Sequence, residues 1–389
     1  MIYNFDKKID RKNTNCIKYD CCKTMFGNEN ILPMWIADMD FLTPNFILES
    51  VKKRLEHKCF GYSFVPAEFH NSIMEWQKKI HNWDVEKEWI GFVLGIVPSL
   101  SFIVQIFTEH QDEVIIQTPV YNKFIDVVEK NKRKLIVNPL KKINNKFEID
   151  FDDLKKKINP KTKLLIICNP HNPGGRVWGK ENLSKLAEIC YEHQIIVVSD
   201  EIHADMTFSQ YKHVPFASVS EKAKEISITL TAPTKTFNMP AFQTASYIIP
   251  NEKIRNTFQN FLDKGEIMNG NIFGVLATIA AYEQGNEWRL QMLDYVQNNI
   301  KFVINFFKNK IPQIIPMQPE ASFLVWLDCS NLAMNDNELM KFMVEKVGVG
   351  FSPGTIFGIG GEKHLRMNVA YPFETIKIVM ETIKERLLK

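Results

Sequence analysis

Residues 163–206 read KLLIICNPHNPGGRVWGKENLSKLAEICYEHQIIVVSDEIHADM. Two apolar runs, KLLIIC (Lys163 to Cys168) and IIVVS (Ile195 to Ser199), bracket a segment in which Leu183, Leu186, Ala187, Cys190 and Tyr191 fall at i, i+3, i+4, i+7 and i+8. The runs are too short for helices and lack period-2 alternation, so they are expected as strands buried on both faces. The segment between them puts one apolar stripe along a helix, Glu181 to His193. A strand, an amphipathic helix and a second strand in close succession make a βαβ unit, whose strands run parallel.

Runs of the same kind recur outward from this unit: EVIIQ (113–117), KLIVN (134–138), ISITL (226–230) and TASYII (244–249). The fold class expected is α/β, a three-layer αβα sandwich around a mostly parallel sheet. Trp89 to Thr108 carries no charge and is long enough to span a membrane. It also holds Gly91, Gly95, Pro98, Ser99, Ser101 and Gln105, and reads better as a short strand, a turn and a buried helix. After residue 285 the pattern changes to a long helical stretch, then SFLVWLD (322–328), then the turn-rich FSPGTIFGIGG, which suggests a smaller α+β domain. The expected division is an N-terminal segment, 1–45, packing with the small domain, a large domain, 46–285, and a C-terminal small domain, 286–389.

The chain has 389 residues, of which 45% are hydrophobic, enough for a sizeable core and incompatible with intrinsic disorder. Lys plus Arg total 48 against 45 Asp plus Glu, a net charge of +3 that creates no dominant field and argues against a nucleic-acid groove. Eight of those cations are Arg. Arginine is the better bidentate partner for carboxylates and phosphates, so each one is worth locating. Seven cysteines lie scattered without a C-x-x-C pair, which argues against a disulfide framework or a metal knuckle. With a polar start, MIYNFDKKIDRKNTN, where a signal peptide needs an apolar stretch, the expected location is cytoplasmic, with no membrane partner and no metal.

In open α/β sheets ligands bind beyond the carboxyl ends of the strands. Tyr121 follows EVIIQ, Asn172 follows KLLIIC in a Pro/Gly turn, Asp200 and His203 follow IIVVS, and Lys235 follows ISITL. Each has a plain structural alternative. Asp200 could cap a helix, Asn172 could form a turn, Tyr121 could be core, and His203 could be a satisfied structural histidine. Lys235 is one of forty lysines, but it sits in the uncharged stretch TAPTKTFNMPAF, where burial lowers the pKa and frees the amine as nucleophile or base. An amine, a carboxylate, an aromatic plate and hydrogen bonders at one sheet edge are together what a pyridoxal phosphate site requires.

On these residues the chain resembles the fold-type I pyridoxal-phosphate enzymes of the class I/II aminotransferase superfamily. Within them it is most similar to the MalY/PatB-like carbon–sulfur β-lyases, the cystathionine β-lyases. The resemblance runs through WIADMDF (35–41), FGYS (60–63), GIVPSL (95–100), TPVY (118–121), NPHNPGG (169–175), SDEIHADM (199–206), APTKTFNMP (232–240), PEASFLVWLD (319–328) and HLRMNVA (364–370). It implies that Lys235 binds the cofactor covalently and that Asp200 pairs with the pyridine nitrogen. By the same resemblance Asn172 and His203 bond the phenolic oxygen and Tyr121 stacks on the ring. The phosphate would be held by the backbone of Ile96 and Val97 and by Thr234. Tyr62 would reach the site of a neighbouring subunit and serve as a catalytic group beside Lys235, which implies a homodimer with shared sites. Arg366 would clamp the substrate α-carboxylate, with Asn172 and Ala37 also against the substrate.

Three positions depart from the family pattern. Gly175 stands where Thr is common and is expected to loosen its loop. Ala232 stands where many relatives have a phosphate-binding Ser, which shifts the grip to Thr234, Thr231 and backbone. No Arg follows Lys235 in FNMPAFQTA, which fits the lyase branch better than a generic aminotransferase. The implied reaction is α,β-elimination of L-cystathionine or a related L-cysteine S-conjugate to a thiol, pyruvate and ammonia. A class I/II aminotransferase is the alternative, and a non-catalytic regulatory protein on the same fold is a second.

Overall fold

A computed structural model describes residues 2–267 and 270–387. The six apolar runs form strands, and Trp89 to Thr108 supplies a seventh. The central sheet comprises β1 (Ile90–Val93), β2 (Glu113–Ile116), β3 (Lys134–Val137), β4 (Thr162–Cys168), β5 (Ile196–Asp200), β6 (Ser227–Thr231) and β7 (Ala245–Ile248). Their order is β1-β7-β6-β5-β4-β2-β3. β7 runs antiparallel to both neighbours and every other pair is parallel. Alternation along β4 shows how the sheet is sandwiched. Leu164, Ile166 and Cys168 enter one core with the helices Ile96–Phe107, Lys123–Lys130 and Glu252–Lys264, while Leu165 and Ile167 enter the other with Lys180–Glu192 and Glu221–Ile226.

Two details differ from the sequence expectation. β3 is not buried on both faces: Lys134 is exposed and the other three residues are half-buried, because β3 is the outer strand of the sheet. In the helix Lys180–Glu192, Leu183, Leu186, Ala187 and Cys190 are buried, but Tyr191 is exposed and lies under the Lys222 ammonium. An aromatic ring can cover a helix shoulder and remain partly in water. The uncharged stretch resolves into β1, a turn at Gly95 and the 12-residue helix Ile96–Phe107. No helix among the described residues is long and apolar enough to cross a membrane.

A second sheet contains β8 (Ile315–Pro316), β9 (Leu324–Asp328), β10 (Ser352–Pro353) and β11 (His364–Asn368), antiparallel in the order β8-β9-β11-β10. The helices Asn286–Lys310 and Phe373–Leu387 share its hydrophobic core. The N-terminal region joins this part of the molecule through Leu32–Pro33, which pairs in parallel with Val349–Gly350. It then crosses toward the large sheet as irregular backbone, Trp35 to Phe41.

Candidate active site

The register of β4, β5 and β6 brings their carboxyl ends to one level: Cys168 lies opposite Asp200, and Asp200 opposite Leu230. The loops that follow open into a single cavity of about 940 Å³. Its sheet-side wall includes Tyr121, Asn172, Asp200, His203, Thr234 and Lys235, with Ile96 and Val97 at the start of the helix after β1. The opposite wall is made by Trp35 to Ala37 and by Ser352, Phe357 and Arg366 of the C-terminal part of the chain. The structure therefore brings together the sequence-predicted site residues except Tyr62 and Thr231, the latter buried in β6 and absent from the cavity wall. That tyrosine is fully exposed in the irregular stretch between two helices, outside the cavity of its own chain.

Lys235 is half-buried and its Nζ donates to the Ala37 carbonyl at 2.6 Å. Burial pushes the amine down to about 8; Asp38 and Asp200 oppose the shift, while Arg366 and Lys18 add to it. Burial also pushes the Asp200 carboxyl up to about 7, against a hydrogen bond from the Ile202 amide at 3.1 Å. A carboxyl held that high gains its charge readily once a cationic ring nitrogen lies beside it. His203 falls to about 3 through burial and the nearby Lys235 and Arg366 charges, so its imidazole is neutral.

Arg366 is buried and has no carboxylate within ion-pair distance among the described residues. Nη1 donates to Asn172 Oδ1 at 3.0 Å, and Nη2 donates to the Trp35 carbonyl at 2.6 Å and to Ser352 Oγ at 3.1 Å. The guanidinium lies over the Phe357 ring, 5.0 Å from its centroid. Three of its five donors are thus bonded, and Nε is buried without a partner. Removal from water without an anion lowers its pKa to about 10.

These features test whether pyridoxal phosphate fits. Buried polar atoms are normally paired, yet His203 Nδ1 and Arg366 Nε are not. The helix Ile96–Phe107 has no side-chain cap and no acidic residue in its first turn, so the Ile96 and Val97 amides are free for an anion. Gly95, at φ 155°, turns the chain into that helix in a conformation that L side chains rarely adopt. The Thr234 hydroxyl adds a donor with no partner among the described residues. An anion site, a buried acid and an amine all line the one cavity, and the residues fit the group.

The expectation for Gly175 is overturned. Its φ of 65° is left-handed, and a Cβ there would lie 2.5 Å from Pro319 Cβ. Its amide donates to the His171 carbonyl at 2.7 Å, and its own carbonyl accepts from Glu320 and Ala321 at 2.9 and 3.1 Å. Glycine here pins the loop against Pro319 to Ala321. Sequence reasoning also missed His171, whose Nε2 donates to the Pro119 carbonyl at 2.9 Å and so ties the Tyr121 loop to the Asn172 turn. The Tyr121 amide donates to the Asn172 carbonyl at 3.1 Å, completing that tie. Asn238, Asn368 and Ser352, which hold the Trp35–Phe41 wall, were missed as well. The motifs WIADMDF and HLRMNVA contained or adjoined their partners but gave no sign of which groups would meet.

Residues 30–383 match the family described as aminotransferase class I and II. The cystathionine beta-lyase PatB of Bacillus subtilis is 41% identical over 385 residues, covering 99% of this chain and all of that protein. The crystal structure of cystalysin from Treponema denticola, which contains a pyridoxal 5'-phosphate cofactor, superposes with a TM-score of 0.96 at 34% identity, covering 100% of both chains. The PLP-bound C-S lyase from Staphylococcus hominis gives 0.92 at 33% identity, covering 100% of this chain and 99% of that one.

Proposed function

The chain belongs to the aminotransferase class I and II family, and from that membership we propose that it is a pyridoxal-phosphate-dependent carbon–sulfur lyase acting on L-cystathionine or a related L-cysteine S-conjugate. The net reaction consumes one water and yields a thiol, pyruvate and ammonia. The thiol is homocysteine from cystathionine and hydrogen sulfide from cysteine. One observation carries the reading: a half-buried amine, Lys235, and a buried guanidinium with no carboxylate partner among the described residues, Arg366, open into the same cavity. An α-amino acid offers the two groups they lack, an amine that exchanges with Lys235 and a carboxylate for Arg366.

When bound, pyridoxal phosphate supplies the electron sink for the negative charge left at the substrate Cα. Lys235 would be the residue that holds the cofactor and gives way to the substrate amine. The freed amine, shifted to about 8, then takes the Cα proton as general base. As the Cβ–S bond breaks, its electron pair goes to sulfur, and Lys235 or Tyr62 returns a proton there. Arg366 would attract and orient the carboxylate with its charge, rearranging the bonds it now makes to Asn172, Trp35 and Ser352. Asp200 would hold the proton on the pyridine nitrogen, Asn172 and the neutral His203 would serve the phenolic oxygen, and Tyr121 would cover the ring. The Ile96 and Val97 amides and Thr234 would receive the phosphate, and Ala37 would border the substrate.

Tyr62 enters this scheme from a second copy of the chain. It is exposed together with Phe60 and Phe64 on one short stretch, which supports a homodimer with shared sites. The cysteines of the described residues are all free, which fits a reducing cytoplasm. Purified enzyme given cystathionine and no keto acid is expected to release thiol and pyruvate in equal amounts. Activity that requires an added keto acid would instead make it an aminotransferase and sink the elimination reading.

A further inference from the structure

The stretch Trp35 to Phe41 has no regular structure, yet its carbonyls are taken up one by one. That of Trp35 accepts from Arg366 Nη2 and Ser352 Oγ at 2.6 and 2.8 Å, and those of Ile36 and Asp38 accept from Asn368 Nδ2 at 2.7 and 2.6 Å. The Met39 carbonyl accepts from Asn238 Nδ2 at 2.8 Å and Arg11 Nη1 at 3.1 Å. Between them, the Ala37 carbonyl is given to Lys235. The neutral amides of Asn238 and Asn368 anchor this backbone, and Arg11 and Lys18 add bonds to the Met39 and Asp38 carbonyls at 3.1 and 3.2 Å while also carrying charge to the side chains beside it.

Those charges form a cluster next to the Ala37 peptide. Arg11 grips Asp38 in bidentate fashion, Nη1 to Oδ1 at 3.0 Å and Nη2 to Oδ2 at 2.8 Å, and Lys18 Nζ lies 3.3 Å from Asp38 Oδ1. Asp40 contacts Lys18 Nζ, the Tyr19 hydroxyl at 2.6 Å and Arg11 Nη1 at 3.4 Å. Lys18 is wholly buried, over the Tyr371 ring. Two cations balance two carboxylates. The charged groups near Lys235 come from several elements: Asp38 and Lys18 of this cluster, Arg366 of the small sheet and Asp200 at the end of β5, with the neutral His203 close by.

We infer that Asp38, held by Arg11 and Lys18, is a positioning residue for Lys235: it fixes the adjoining Ala37 peptide that receives the lysine amine and adds negative charge near that amine. The inference rests on Lys235 as the attachment point of the cofactor. Charge makes signed predictions that anchoring alone does not. Asp38→Asn keeps the shape, removes the anion and leaves one cation in excess, so the Lys235 nitrogen gives up its proton at lower pH. Arg11→Gln removes a cation and has the opposite effect. Joining the two changes restores neutrality.

The test titrates the cofactor-loaded enzyme with pH and follows the visible absorption of the bound cofactor. The midpoint should fall by about 0.5–1 unit in Asp38→Asn, rise by a similar amount in Arg11→Gln, and return toward the parent in the double variant. Arg11→Lys, which keeps the charge, should leave it in place. Midpoints that stay fixed, or that move the same way in both single variants, overturn the inference. Should Asp38→Asn fail to fold, the contrast between Arg11→Gln and Arg11→Lys decides alone. Lys235→Ala separates the two levels of failure. If that variant keeps a borohydride-reducible cofactor absorbance, the assignment of Lys235 falls and this inference with it; if the absorbance is lost while the midpoints stay fixed, only the role of Asp38 falls.

Discussion

On the sheet side of the cavity, Asn172, Asp200 and Lys235 take their places from the ends of neighbouring strands, whereas the opposite wall, Trp35 to Phe41, has no strand and is held by side chains from as far along the chain as Asn368. Strand register does the positioning on one side, and it is repeated over every rung of a buried sheet. On the other side each carbonyl depends on one or two donors, and the charged cluster of Arg11, Lys18, Asp38 and Asp40 is satisfied only as a set. Chemistry can therefore be removed from the sheet wall with little loss of structure. Removing a partner from the strap wall disturbs structure first and chemistry through it.

The largest expected effect breaks the sheet side at its reactive group. Lys235→Ala should lower turnover by at least about 10³-fold, since both covalent attachment and proton transfer are lost. The linked cofactor absorbance should go with it, while the thermal midpoint of the cofactor-free chain stays near that of the parent. A stability loss as large as the activity loss suggests would show that this wall, too, relies on its side chains for its shape.

Asp200→Asn probes the same wall through pH. An acid whose pKa folding raises contributes stability where it is protonated in both states, below its ordinary value near 4. That contribution is lost as pH climbs through the folded value, here about 7. Without cofactor, Asp200→Asn should therefore be more stable than the parent by about 2–4 kcal/mol near pH 8, and no more stable near pH 4. Cofactor should reverse the order, because a protonated ring nitrogen gives the carboxylate its partner. Urea titrations with and without pyridoxal phosphate read both halves; no difference near pH 8 would mean that the carboxylate is not desolvated.

The same contrast explains what was legible in the sequence. Strands such as KLLIIC and IIVVS announce themselves as apolar runs, and the residue after each run can be placed at the sheet edge without coordinates, which is how Asp200, Asn172, Tyr121 and Lys235 were found. Arg366 needed the resemblance, because nothing local distinguishes it from the seven other arginines. The exposure of the outer strand β3 was missed because strand order cannot be read from a run of Ile and Val. Gly175 was misread for a related reason. A left-handed turn pressed against Pro319 depends on a residue 144 positions away, and no local rule contains that. The strap was almost silent: its contacts join residues some 200 to 330 positions apart, and no periodicity relates them.

Asn238 joins the two walls, and its loss should give the smallest effect of the series. It follows Lys235 by three residues, yet its side chain serves the strap: Nδ2 donates to the Met39 and Phe41 carbonyls at 2.8 and 2.7 Å, and Oδ1 accepts from the Met39 amide at 2.9 Å. Its φ of 52° is left-handed. Asn238→Gly keeps that backbone and removes the clamp, and because the site is only half-buried water can replace part of it, so the cost should be about 1–2 kcal/mol. Asn238→Ala removes the same clamp and adds a Cβ in a left-handed position, so it should be worse than Asn238→Gly by about 1 kcal/mol. Chemical denaturation of the two variants beside the parent separates the terms. Equal losses would mean that the backbone relaxes out of the left-handed region, and no loss in either would mean that Asn368 and the ion cluster hold the strap without help from the lysine loop.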